Sequence, residues 1–405
     1  MTSTSTNKRL HHFDLLRLFL VLLALMSHFL LSQHVSRPGL ITIVIRSATP
    51  ALLIIFGFMM EHVYARRWVV KGPRVILERM LGRAVLCYLA FAAIVLVVFL
   101  NGDIPFTRFL GNILLLMPGH PHADIFKYYA LLLPATFFLM WVRFTFGWRH
   151  KLFLVLLLVA LAETGQFFIH VIPSPFQYLG SFFLGLNDTV GPSIIHSLVL
   201  IVFGELVASY TSGGSAPLQK QVLVCMGLIS VGAVVQEIEG AGLSHFIIAL
   251  ARYNGYRAHN SYIYYAYGIV TFMLYAACSW LAVLRFPSSL KQKISYYGGN
   301  TFIIFFYGNV IVLLTPAISH SLLSLALAWV ATAILSLATV NVFEWAEQRF
   351  VVIQVFNNWL GGAVHRVLLS SRSVIYLTGA LKRQNAKVQQ LVPQDEEPEK
   401  VLVSN

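Results

Sequence analysis

The sequence predicts an all-α polytopic membrane bundle of about ten transmembrane helices, with both termini cytoplasmic. Three observations carry this. Of 405 residues, 58% are hydrophobic and only 11% charged, against about 25% charged in an ordinary soluble domain. Mean hydropathy is +0.74. The apolar residues fall into blocks of roughly 20, the length a helix needs to cross a bilayer. A water-soluble enzyme, a disordered chain and a nucleic-acid-binding domain are all excluded. The net charge of +13 would suggest nucleic acid in a soluble protein. Here the excess sits in loops, where it sets orientation, and no nucleic-acid partner is expected.

The first span, 13–33, follows the polar start MTSTSTNKRLHH. It is long and lacks a small-residue cleavage site, so it reads as a retained helix rather than a signal peptide. The second, 39–63, ends at the basic loop ARRWVVKGPRVILER. Further apolar blocks place spans at 80–100, 125–146, 152–172, 192–210, 221–239, 261–284, 300–317 and 320–345. Residues 243–251, LSHFIIALA, are apolar but too short to span, which suits a re-entrant or interfacial piece. The transmembrane unit is thus 1–346. Residues 347–405 form a cytoplasmic tail. It starts with FVVIQVFNNWLGGAVHRVLL, fit to lie on a membrane surface, and ends with the charged VPQDEEPEKVLVSN, read as disordered.

With the N-terminus inside, 21 Lys and Arg fall on the cytoplasmic side and five outside: Arg37, Arg108, Lys127, Arg252 and Arg257. That asymmetry supports an even number of spans and both termini in the cytoplasm. Cys87, Cys225 and Cys278 lie in apolar stretches and offer neither a disulfide framework nor metal spacing. The H-x-H pair His120 and His122, in GHPHAD, reads as a solvated outer loop, since two ligands do not make a zinc site. No metal site is expected. The P-loop, nucleophile-elbow and zincin motifs are absent from the sequence.

Charge inside a membrane is expensive and marks function or pairing. The first span, FDLLRLFLVLLALMSHFLL, carries Asp14, Arg17 and His28 on one side. Arg17 and His28 are separated by about 16 Å of helix rise. That face must line a cavity or a neighbouring helix. Arg79 and Arg83, four apart, share a face of the third helix. Two arginines on one face suit lipid phosphates, Asp14 or the phosphates of a cofactor. Glu163, Gln166 and His170 form a polar stripe in the fifth span; His196, Glu205, Glu237, Glu239 and Asn309 are further polar groups in apolar surroundings. Any one of these can simply join helices by hydrogen bonds. Together they imply a hydrated interior.

The first span resembles the first helix of the acyltransferase-3 superfamily, whose signature there is an Arg, ten residues and a His. Arg17 and His28 match it. Arg79 and Arg83 correspond to arginines at the start of that family's third helix, with R-x-x-x-R here in place of R-x-x-R. The chain is most similar to the OpgC-type branch, implicated in succinylating periplasmic glucans. PALLIIFGFMMEHVYARR, RAVLCY, DIFKYYALLLPATF and YGGNTFIIFFYGNV resemble that branch's blocks in order. Asp124, Tyr129, Pro134, Gly299 and Phe305 match. Phe56, Lys127 and Asn300 depart, standing where the branch has Ser, Pro and Arg.

The resemblance implies a multi-pass O-acyltransferase of the bacterial inner membrane. It would move an acyl group from cytoplasmic acyl-CoA, succinyl-CoA or acetyl-CoA, to a hydroxyl of an envelope or extracellular glycan. Arg74, Arg79 and Arg83 would hold the CoA phosphates. His28 would be general base, Arg17 would stabilise the oxyanion and Asp14 would orient Arg17. Imidazole suits proton transfer at neutral pH. Should the donor carry a carboxylate, Arg46 is a candidate cation for it. Polysaccharide synthesis or export proteins are possible partners. Two other readings use the same residues: a secondary transporter or glycan flippase, and a non-catalytic member of a polysaccharide assembly complex.

Overall fold

The computed structural model of the chain describes residues 10–35, 39–117, 121–165, 173–185, 192–213, 215–252, 255–316, 318 and 321–350. Among them every regular element is helical. Eight helical stretches are long and apolar enough to cross a membrane by themselves, so the chain is a multi-pass helical membrane protein.

The first is α1, His11–Ser32. The second span is composite: α2, Gly39–Arg46, leads into α3, Ala48–Met59. A π-helical turn, Met60–Ala65, then continues into α4, Arg66–Lys71. The helix therefore runs past the expected end at residue 63. Arg66, Arg67 and Lys71 extend it beyond the apolar block, while Trp68 stays buried. Gly72, at φ +80°, and Pro73 at the first helical position reverse the chain into α5, Pro73–Leu100. Glycine tolerates that φ, and proline's missing N–H costs nothing in a first turn. Arg74 and Arg79 consequently stand on a continuous helix and not in a loop.

A short α6, Phe106–Leu115, follows, then α7, Pro121–Phe146. Next is α8, Trp148–Gly165, whose 18 residues include Arg149, Lys151 and Glu163. It takes the place of the fifth span but, with three charged residues in 18, is not one of the eight stretches apolar enough to cross a membrane by themselves; Gln166 and His170 lie outside the described residues. Then come α9, Ser174–Leu184, and α10, Ile194–Thr211. These lead to α11, Pro217–Ala241, and α12, Leu243–Ala251. The bounds of α12 coincide with the short apolar piece expected there. After α13, Tyr262–Arg285, the chain forms α14, Ser288–Gly299, and α15, Thr301–Leu314. These two are bent by 67° at Asn300, the geometry of a broken span or a re-entrant loop. The straight span expected at 300–317 is thus a 14-residue helix preceded by a polar one. The last described helix is α16, Leu322–Arg349; all but the first residues of the expected tail lie outside the described part.

The centre of the bundle is the pair α3 and α10. A Cβ on Gly57 would stand 2.0 Å from the Ile201 carbonyl oxygen, and one on Gly204 would stand 1.9 Å from that of Ile54. Two backbones therefore touch, as small residues allow in membranes. Gly57→Ala or Gly204→Ala must prise the helices apart. We expect each to lose about 1–3 kcal/mol or more, the usual cost of overpacking. The readout is the melting temperature of the detergent-purified protein. Gly82→Ala, where an added Cβ meets nothing within 4 Å, should leave it unchanged.

Candidate functional site

The polar residues of α1 part into two sites. At the end assigned to the cytoplasm, Asp14 accepts a hydrogen bond from Ser295 Oγ at 2.9 Å, and His11 Nδ1 lies 2.7 Å from the same hydroxyl. Arg17 is 4.0 Å from Asp14 and donates from Nη2 to Thr301 Oγ1 at 3.0 Å. These contacts join α1 to both sides of the α14–α15 bend. Gly298 makes the approach possible, since a Cβ there would meet the Asp14 carbonyl oxygen at 2.5 Å. Arg79 and Arg83 have exposed side chains. With Arg67 they lie within electrostatic reach of Tyr64. Arg74 donates to Glu78 Oε1 at 3.1 Å on the surface.

At the other end, His28 lines a cavity of about 290 Å³. Its polar lining comes from Ser27 and His28 of α1, Arg46 and Thr49, Asp124 and Tyr128 of α7, Arg257, and Tyr264 of α13. Ala24, Leu52, Ile125 and Phe305 are among its apolar walls. Among the described residues Arg17 is not part of this lining. The structure therefore brings Arg17 together with Asp14 but not with His28, although all three share one face of α1.

His28 is held by its neighbours. Its Nδ1 is 2.5 Å from Asn309 Oδ1, and Asn309 Nδ2 donates to the Phe305 carbonyl at 2.7 Å. That second bond orients the amide so that its oxygen faces the ring. In the neutral ring Nδ1 must then carry the proton, and Nε2 keeps the lone pair. The ring also stacks on His122, with centroids 4.8 Å apart and planes at 15°. His122 is fully buried. This corrects the solvated-loop reading of His122: Pro121 opens α7, so His122 enters the first turn of a buried helix. His120 lies outside the described residues. Lone pairs of parallel stacked rings lie in separate planes, so His28 and His122 do not converge on one metal ion.

Asp124 is matched by Lys127, whose Nζ is 3.2 Å from its Oδ1. Lys127 is fully buried and also donates to the Met117 carbonyl at 3.2 Å. It is thus no outer-loop charge but a fixed counter-ion inside the fold. Arg46, from the end of α2, donates from Nη2 to the Ala251 carbonyl at 2.9 Å, at the C-terminus of α12.

No protein-family model, curated protein or solved structure matches the chain. What the site can do follows from its own groups. A clamped neutral imidazole with a defined tautomer can take a proton at Nε2. The stacked His122 face and the Asn309 oxygen can then stabilise the imidazolium.

Sequence reading alone missed Asn309's role, His122, Arg257 and the aromatic lining. Asn309 was visible as a polar residue in an apolar helix, but nothing in the sequence named its partner. Glu163, the described member of the polar stripe, takes part in a similar lock. His196 Nε2 is 2.8 Å from Glu163 Oε1, and its Nδ1 is 2.7 Å from Ser193 Oγ.

Proposed function

We propose that the chain is a multi-pass O-acyltransferase of the bacterial inner membrane. It moves an acyl group, succinyl or acetyl, from cytoplasmic acyl-CoA to a hydroxyl of an envelope or extracellular glycan. The observation that carries this reading is the Asn309-clamped His28 on the wall of the cavity at the outer end of α1. His28 Nε2 takes the proton of the acceptor hydroxyl as its oxygen attacks the thioester carbonyl. The ester C–O bond forms, the C–S bond breaks, and the CoA thiolate leaves and is reprotonated. No serine or cysteine nucleophile is needed. Arg79 and Arg83 at the cytoplasmic end suit the donor's phosphates, with Arg74 as a further contact. Arg17, held by Thr301, belongs to the donor side and not to the oxyanion.

The test is a strain lacking the chain, complemented with the native protein or with His28→Ala. Base-labile acyl esters on purified periplasmic and extracellular glycans are quantified by mass spectrometry. Esters restored by the native chain and absent with His28→Ala support the reading, and their mass names the acyl group. Equal ester content with both proteins present in the membrane defeats it.

The break at Asn300 favours a second reading, because secondary transporters bind substrate at discontinuous helices. Uptake of a glycan or small anion into vesicles, driven by a proton gradient and without ester formation, would select it.

A further inference from the structure

The cavity at His28 carries a charge pattern that acyl transfer to a neutral sugar would not require. Two guanidinium groups, Arg46 and Arg257, line it. Its acidic residue, Asp124, has its own buried counter-ion in Lys127 at 3.2 Å. Both arginines also lie within electrostatic reach of the buried Tyr264.

Arg46 is not a mobile surface charge. The bond from its Nη2 to the last carbonyl of α12 holds the guanidinium against the bundle. Arg257 belongs to the short turn between α12 and α13. Two arginines lining one partly apolar cavity are poor lipid anchors and good binders of a planar anion, because the fork of donors matches a carboxylate.

We propose that the acceptor is an acidic sugar, and that Arg46 and Arg257 hold its carboxylate while His28 deprotonates a hydroxyl of the same ring. This rests on the acyl-transfer reading and names its acceptor class. The size agrees: about 290 Å³ lies at the lower end for small-molecule sites, enough for one sugar ring. So does the direction of approach. Both arginines come from elements at the outer end, α2 and the α12–α13 turn, where a glycan arrives. The donor would enter from the end that carries Arg79 and Arg83. An anion belonging to the donor's acyl chain is the same chemistry from the other source, and the test separates the two.

Full-length protein in nanodiscs is titrated with D-glucuronate, D-glucose and succinate by calorimetry at fixed ionic strength. We expect glucuronate to bind at least about tenfold more tightly than glucose, because loss of a charge-assisted contact costs that much or more. Arg46→Gln and Arg257→Gln should each weaken glucuronate by about tenfold or more. Arg257→Lys should recover part of the loss. Since Arg46 also braces α12, Arg257→Gln carries the test should Arg46→Gln not fold.

Glucose binding as tightly as glucuronate would overturn the proposal. So would succinate binding with the same arginine dependence while glucuronate does not, since the anion would then come with the acyl chain. Arginine-dependent glucuronate binding with no ester formed on any glycan would sustain the acidic-sugar site and defeat the acyl-transfer reading.

Discussion

Glu205→Ala is expected to destabilise the bundle by about 3–5 kcal/mol, the usual penalty for leaving a buried charge without its partner. Lys151 of α8 is fully buried, and Glu205 of α10 is almost so. The two form an ion pair. Beside them Arg143 of α7 pairs with Glu61 of the π-helical turn. Trp148 is shared, with the Arg143 guanidinium carbon 4.4 Å and Lys151 Nζ 5.0 Å from its ring centre. Two acids and two bases thus tie four helical elements together near the junction of α7 and α8. The double variant Lys151→Met with Glu205→Leu should recover most of the loss, because well-packed apolar residues often replace a buried pair at no net cost. Equilibrium unfolding in mixed micelles of increasing SDS content measures both. A Glu205→Ala protein as stable as the native one would show that water reaches Lys151.

If the proposed acyl transfer is what the chain does, Asn309→Leu should lower its rate constant by about 10²–10⁴, the range that general acid–base catalysis supplies. Asn309 is a positioning residue: it sets which His28 nitrogen carries the proton. Leucine keeps the volume and removes the acceptor. The ring can then take the other tautomer, or rotate, with Nε2 no longer poised toward the hydroxyl. The loss should fall on kcat with KM little changed, since neither arginine of the cavity is touched. His28→Ala in the Asn309→Leu background should add little, because residues that act as a unit are not additive. Additive losses would mean that Asn309 acts on something other than His28.

The spans were legible because a bilayer demands about 20 apolar residues in a row, and no soluble fold does. Where helix and membrane boundaries differ, that signal misleads. Arg66, Arg67 and Lys71 mark the edge of the apolar block but remain helical. The polar α14 could not be separated from a loop by hydropathy. In the site, the α1 face was readable from residue spacing, and it holds Asp14, Arg17 and His28. Spacing does not tell which neighbouring helix faces each turn. Asp14 and Arg17 meet Ser295 and Thr301, whereas His28 meets Asn309. Lys127 and Lys151 counted as loop cations, yet both are buried beside acids on helices. For Lys151 the partner is 54 residues away in the chain. For His122, the proline before it was the available sign that a helix begins there.

The glycine contact between α3 and α10 has a mechanical meaning. Helices whose backbones touch at two mutual points cannot slide or twist past one another without collision, so the two behave as a single beam. That beam supplies one wall of the His28 cavity, through Ala48, Thr49 and Leu52. Any widening of the cavity has to come from the other walls: from α1, from the first turns of α7, from the turn that carries Arg257, or from α13 and α15. His28 and Arg257 then stand on walls free to move, while Arg46, two residues ahead of the start of α3, stays beside the beam.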